Sequence, residues 1–103
     1  MPNTFKRYLS STTTAANAVT VYTTPANTTT IIIGFMVSNK LSNLIEVDVV
    51  AANYTLGSSL PIPAGSSLSV LDGKIVLQAN DTVTVESDKA NSTDIILSIM
   101  EQT

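Results

Sequence analysis

The chain contains no cysteine, no histidine and no tryptophan. Without cysteine no disulfide forms, thiolate nucleophiles and zinc–sulfur sites are excluded, and no redox compartment is implied. Without histidine the commonest general base and metal ligand is missing. Of the usual nucleophiles only Ser and Thr remain, and they would need a Lys or a carboxylate as activator. Glycine is scarce: four isolated residues build no phosphate-cradling loop. Charge is scarce too, at 13% of residues, and Lys6, Arg7, Lys40, Lys74 and Lys89 are the only cations in a chain of net charge −3. Only Lys6 and Arg7 are adjacent, so the clustered cations that displace counterions from phosphates are absent and nucleic-acid binding is not expected. The longest apolar run, Ile31 to Val37 around Gly34, is far short of the ~20 residues that span a bilayer. No charged region followed by a long apolar stretch opens the chain, so neither membrane insertion nor a secretory signal is expected.

What is present points to sheet. The 103 residues are the length of one domain, read as a single unit over 1–103, and 44% of them are apolar. That share is mostly Val, Ile, Leu and Ala, with Phe5, Phe35, Tyr8, Tyr22 and Tyr54 as the aromatics. Branched aliphatics pack well on a pleated surface. Thr, Ser and Asn take the place of the missing charges, and the fold must hold by its core or by neighbouring copies.

Period two dominates wherever a period is visible. Candidate strands are Asn3–Leu9, Ala18–Thr24, Thr28–Ser38, Leu44–Ala52, Tyr54–Leu56, Leu68–Leu71, Lys74–Gln78, Thr82–Glu86 and Asp94–Met100. Ala18–Thr24 places Val19 and Val21 on one face and Thr20 and Tyr22 on the other. Thr28–Ser38 is the most apolar segment and reads as a central strand covered on both faces. Its β-branched run and Gly34 argue against a helix. Leu44–Ala52 turns Ile45, Val47 and Val49 inward and Glu46 and Asp48 outward. Gly57-Ser58-Ser59 reads as the end of a strand. Pro61 and Pro63 remove two ladder donors, so their segment belongs at an edge or in an extended connection. Asp72-Gly73 is the best hairpin signal, since it supplies positive φ at both centres of a type I′ turn. The sum is an all-β, antiparallel β-sandwich, jelly-roll or immunoglobulin-like, of about eight or nine short strands.

The acidic residues offer little chemistry. Glu46 and Asp48 share one strand face, whereas paired catalytic carboxylates flank a cleft; the solvent face of an amphipathic strand explains them better. Asp72, Asp81, Asp88 and Asp94 sit in or beside turns, and no spacing among them resembles a calcium loop. Asn27, Asn53, Asn80 and Asn91 each begin an Asn-x-Ser/Thr triplet, which chance explains in a chain rich in these residues. Three tyrosines are too few for a sugar-stacking platform. No catalytic, cofactor-binding or metal-binding residue is therefore expected. A neutral, hydroxyl-rich exterior suits a protein surrounded by other protein, because burying Thr or Ser costs less than burying Lys or Glu.

Several segments together resemble small β-rich virion structural proteins of tailed phages, those of phages of aquatic bacteria in particular. They are Val19-Thr20-Val21-Tyr22-Thr23-Thr24-Pro25-Ala26, Thr30-Ile31-Ile32-Ile33-Gly34-Phe35 and Pro61-Ile62-Pro63-Ala64-Gly65-Ser66-Ser67-Leu68. Asp72-Gly73-Lys74-Ile75-Val76-Leu77, Asp81-Thr82-Val83-Thr84-Val85 and Ile96-Leu97-Ser98-Ile99-Met100-Glu101 complete the set. One departure is Asn80, where the resemblance suggests Gly; Asn also tolerates a left-handed backbone. The resemblance implies a non-enzymatic particle component located in the virion. It would bind its own copies and a larger structural protein, as a capsid decoration or cement protein. The alternatives are a neck, tail or baseplate piece, or a carbohydrate-binding adhesin module.

Overall fold

A computed structural model describes residues 3–70 and 74–103. Nine strands follow in order: β1 (Asn3–Thr12), β2 (Val19–Thr23), β3 (Thr29–Asn39), β4 (Ile45–Ala51), β5 (Tyr54–Ile62), β6 (Ser67–Ser69), β7 (Ile75–Leu77), β8 (Thr82–Ser87) and β9 (Thr93–Gln102). There is no helix among the described residues. One sheet runs β1-β9-β3, with β6 and β7 both on the far edge of β3; the other runs β2-β8-β4-β5. All pairings are antiparallel.

The order has a simple origin. β1 pairs with β9, β2 with β8, β3 with β6 and β7, and β4 with β5. The chain is thus one long double ribbon whose tip is the β4–β5 turn, rolled so that its rungs alternate between two sheets. That strand order is a jelly roll, with β6 and β7 as two pieces of one interrupted strand. The tip is Ala52-Asn53, with φ of 53° and 64°. Positive φ at both centres is the type I′ geometry, whose twist matches that of the flanking strands.

Expectation and structure part at the Asp72-Gly73 hairpin. β6 and β7 do not pair with each other, because both lie antiparallel to β3, β6 against Met36–Ser38 and β7 against Thr30–Ile32. They therefore point the same way and are not the two arms of a hairpin. Residues 71–73 themselves lie outside the described residues. Nor does Gly57-Ser58-Ser59 end a strand: β5 continues to Ile62 through a bulge, its register slipping between Val47 and Val49 of β4. Pro61 lies on β5, which is an edge strand, as its missing donor requires.

The core lies between the sheets and is aliphatic. Ile32, Phe35 and Val37 of β3 meet Ile95, Leu97 and Ile99 of β9, facing Ile45, Val47 and Val49 of β4 and Val83 and Val85 of β8. β4 alternates as its sequence demands. β3 does not have two covered faces: Ile33 and Met36 are exposed on the outer side. In β2 a register shift between Thr20 and Tyr22 turns both Val21 and Tyr22 inward, so the simple alternation expected there fails at a bulge. A third bulge, between Ile32 and Gly34 of β3, pushes Ile33 outward.

Candidate interaction surface

The two outer faces of the sandwich differ sharply. On the β2-β8-β4-β5 sheet, Thr20 lies opposite Thr84, Thr84 opposite Val50, and Asp48 opposite Glu86, giving a hydroxylic and acidic face. On the other sheet the outward residues form cross-strand rows. Phe5 is opposite Met100, Met100 opposite Ile31, and Ile31 opposite Val76. Leu9 is opposite Ile96, and Ile96 opposite Met36. Between these apolar rows lie Arg7, Ser98 and Gly34, and beyond the second come Ser11, Asp94 and Ser38. Phe5 is 71% exposed, Leu9 63% and Val76 59%, and Ile96 and Met36 are also open to solvent.

β1 makes this face unusual. Its outward residues are Phe5, Arg7 and Leu9, while Lys6 and Tyr8 turn to the same side as the buried Ile99 and Leu97 opposite them. A one-residue change of register would exchange the two sets. The register is held by polar contacts. Lys6 Nζ lies 2.8 Å from Glu101 Oε1, Tyr22 donates its hydroxyl to Glu101 Oε2 at 2.5 Å, and the Tyr22 and Thr30 hydroxyls are 2.8 Å apart. The Tyr8 and Tyr22 rings pack at a tilt, 4.9 Å between centroids. Lys6 and then Tyr22 hold the Glu101 carboxyl below the usual carboxylate range. Burial, with the hydrogen bond to Glu101, pushes the Tyr22 phenol up to about 12. The apolar residues of β1 face outward because its inner side serves this ion pair.

The other polar residues are occupied in holding turns and strand ends. Asp48 accepts the Ser59 N–H at 2.6 Å, at the β5 bulge. Asp88 accepts the Glu46 N–H at 3.1 Å, which with Lys89 lowers its carboxyl from the ordinary value. Asp81 accepts the Gln78 N–H at 2.8 Å across a turn, and Asp94 contacts the Ser11 hydroxyl and Lys40. Glu46 is exposed on the acidic face; Asp72 lies outside the described residues. Among the described residues no group of three or more acidic side chains is placed to hold a metal ion. Asn39, unmarked by any motif, donates to the carbonyls of Asn43, Ile62 and Pro63 and accepts from Leu41, tying three segments together. Part of the hydroxyl content is interior: Thr12, Ser87, Ser92 and Thr93 form a buried chain of hydroxyls.

The four Asn-x-Ser/Thr triplets have a cause other than chance. Asn27, Asn53, Asn80 and Asn91 all take positive φ, between 51° and 70°. β3, β5, β8 and β9 begin one or two residues after them. Asn turns the chain and a β-branched or aromatic residue starts the strand, so the triplet is written by turn geometry. The side chains of the tyrosines divide: Tyr22 is buried, Tyr8 packs against the core, and Tyr54 is 79% exposed beside the ribbon tip.

No family model and no curated protein matches the sequence. Among solved structures, a chain from Bacillus endospore appendages, which form a novel family of disulfide-linked pili, is similar at a TM-score of 0.56 and 18% identity. The match covers 98% of this chain and 88% of that one. The likeness is one of fold. A Podospora anserina GH26-CBM35 β-(1,4)-mannanase is similar at a TM-score of 0.49 and 13% identity, over 97% of this chain and 27% of that chain.

Proposed function

We propose that this chain is a structural component of a tailed-phage virion, a capsid decoration or cement protein that works by binding its own copies and a larger particle protein. One observation carries the reading: the outer face of the β1-β9-β3 sheet presents two apolar rows, with Phe5 and Leu9 of β1 turned away from the core. Large exposed apolar patches on folded proteins mark interaction sites. The resemblance of several segments to small phage structural proteins is what suggests the particle context. The fold likeness to an appendage chain is compatible with a structural role.

An antibody raised against the purified chain and used to label virions of the encoding phage by electron microscopy tests the reading. Label over the capsid shell is expected. Label confined to neck, tail or baseplate moves the protein there, and unlabelled particles reject a virion role.

A further inference from the structure

We infer that the outer face of the β1-β9-β3 sheet binds the same face of a second copy, Arg7 of each chain entering the depression beside Asp94 of the other. The inference rests on the self-association part of the reading above and adds the surface and the orientation.

The central row of this face, Leu9, Ile96 and Met36, exposes roughly 300 Å² of apolar side chain, the apolar centre of a contact whose flanking levels are polar. The residue types at the axis, Leu, Ile and Met, are those of an interface centre, with Arg7 and Asp94 flanking it. The row pattern supplies the self-complementarity. Leu9, Ile96 and Met36 form a central row, flanked on one side by the Arg7-Ser98-Gly34 level and on the other by the Ser11-Asp94-Ser38 level. A two-fold axis lying along the central row and across the strands sets that row on itself and exchanges the two flanking levels. The guanidinium of Arg7, which has no side-chain partner among the described residues, then meets Ser11 and Asp94 of the second copy. A depression of about 370 Å³ lies there, bordered by Leu9, Ser11, Asp94 and Ile96. Its apolar walls take the aliphatic stem of Arg7, and the Asp94 carboxylate, whose Oδ1 already meets Ser11 and Lys40 of its own chain, takes the guanidinium through its other oxygen. The aligned stacking of the two sheets is an ordinary sheet-on-sheet geometry. A two-fold contact of this kind uses the same patch on both chains and closes on itself.

The test is a charge exchange followed by sedimentation velocity over a wide concentration range, with circular dichroism confirming that each variant is folded. Arg7→Asp and Asp94→Arg each weaken the dimer by about tenfold or more, and the double variant recovers most of the loss. Ile96→Glu abolishes association. Ile96→Cys, on the axis and in a chain without native cysteine, cross-links to its own copy with a short bis-maleimide. This cross-link serves as the deciding measurement if a charge variant fails to fold. Failure of the double variant to recover, or of Ile96→Cys to cross-link, overturns the proposed orientation. Association that survives Ile96→Glu places the contact elsewhere and leaves self-association standing. A wild-type chain that stays monomeric at every concentration overturns both the inference and the self-association it rests on.

Discussion

Ala52 holds a backbone conformation that its methyl group disfavours, at φ 53° on the tip of the ribbon. A non-glycine residue in the left-handed region costs about 1–2 kcal/mol, part of which glycine returns through a freer unfolded chain. Ala52→Gly is therefore expected to stabilise by about 0.5–1 kcal/mol, read from the midpoint of urea unfolding at unchanged slope. A second consequence at this scale concerns Tyr22 and Glu101. The phenol is raised from 10.0 to about 12 in the fold, so it contributes stability below pH 10 that is lost as pH rises through 12. The carboxyl is lowered from 4.5, so its contribution is full above that value and is lost as pH falls below it. Thermal melts across pH should fall at both ends, and Tyr22→Phe should remove the alkaline loss attributable to this group. Ultraviolet titration should show one of the three tyrosines ionising well after an ordinary phenol. An identical alkaline limb in Tyr22→Phe would show that the network does not set it.

Strands and turns were readable from the sequence where alternation is plain. The inward Ile45, Val47 and Val49 of β4 and Val83 and Val85 of β8 follow directly from period two. Most of the departures lie at bulges and turns, and the uncovered outer face of β3 is a further one. Thr20–Tyr22, Ile32–Gly34 and the β5 bulge each add a residue to one strand, which inverts the alternation beyond it; Gly34 and Gly57 mark two of these places, while nothing in the composition marks Thr20–Tyr22. Asp72-Gly73 carries the stronger turn signal, whereas the type I′ geometry among the described residues sits at Ala52-Asn53, whose alanine hides it. The β1 face was illegible for another reason: the tie between Lys6 and Glu101 joins opposite ends of the sequence, and only their pairing shows why Phe5 and Leu9 point outward. The positive-φ asparagines give the test for this scale. Asn80→Gly is expected to be close to neutral, and Asn80→Val to cost about 1–2 kcal/mol, since a branched side chain strains the left-handed turn. Equal melting temperatures for the two variants would show that the turn relaxes to another geometry.

At the scale of the molecule, sandwich class and strand number were available from alternation, but the choice between jelly roll and immunoglobulin-like order was not. Both use the same short strands, and only the pairing of β1 with β9 and of β2 with β8 separates them. This pairing also bears on how the protein carries load. Asn3 lies opposite Gln102, so the two ends of the β1–β9 ladder nearest the chain termini sit side by side. A pull applied through the termini opens that ladder like a zipper, breaking its antiparallel hydrogen bonds one pair after another. A pull applied across the sandwich, from one outer face to the other, has no single ladder to peel. Optical-tweezer unfolding of a chain tethered at residues 3 and 102 should begin at low force with the release of β1. Tethering through cysteines introduced at Ile96 and Thr84, one on each outer face, should require a markedly higher force. The fold is then tough under pressure on its faces and weak where a strain reaches the open end of the β1–β9 ladder.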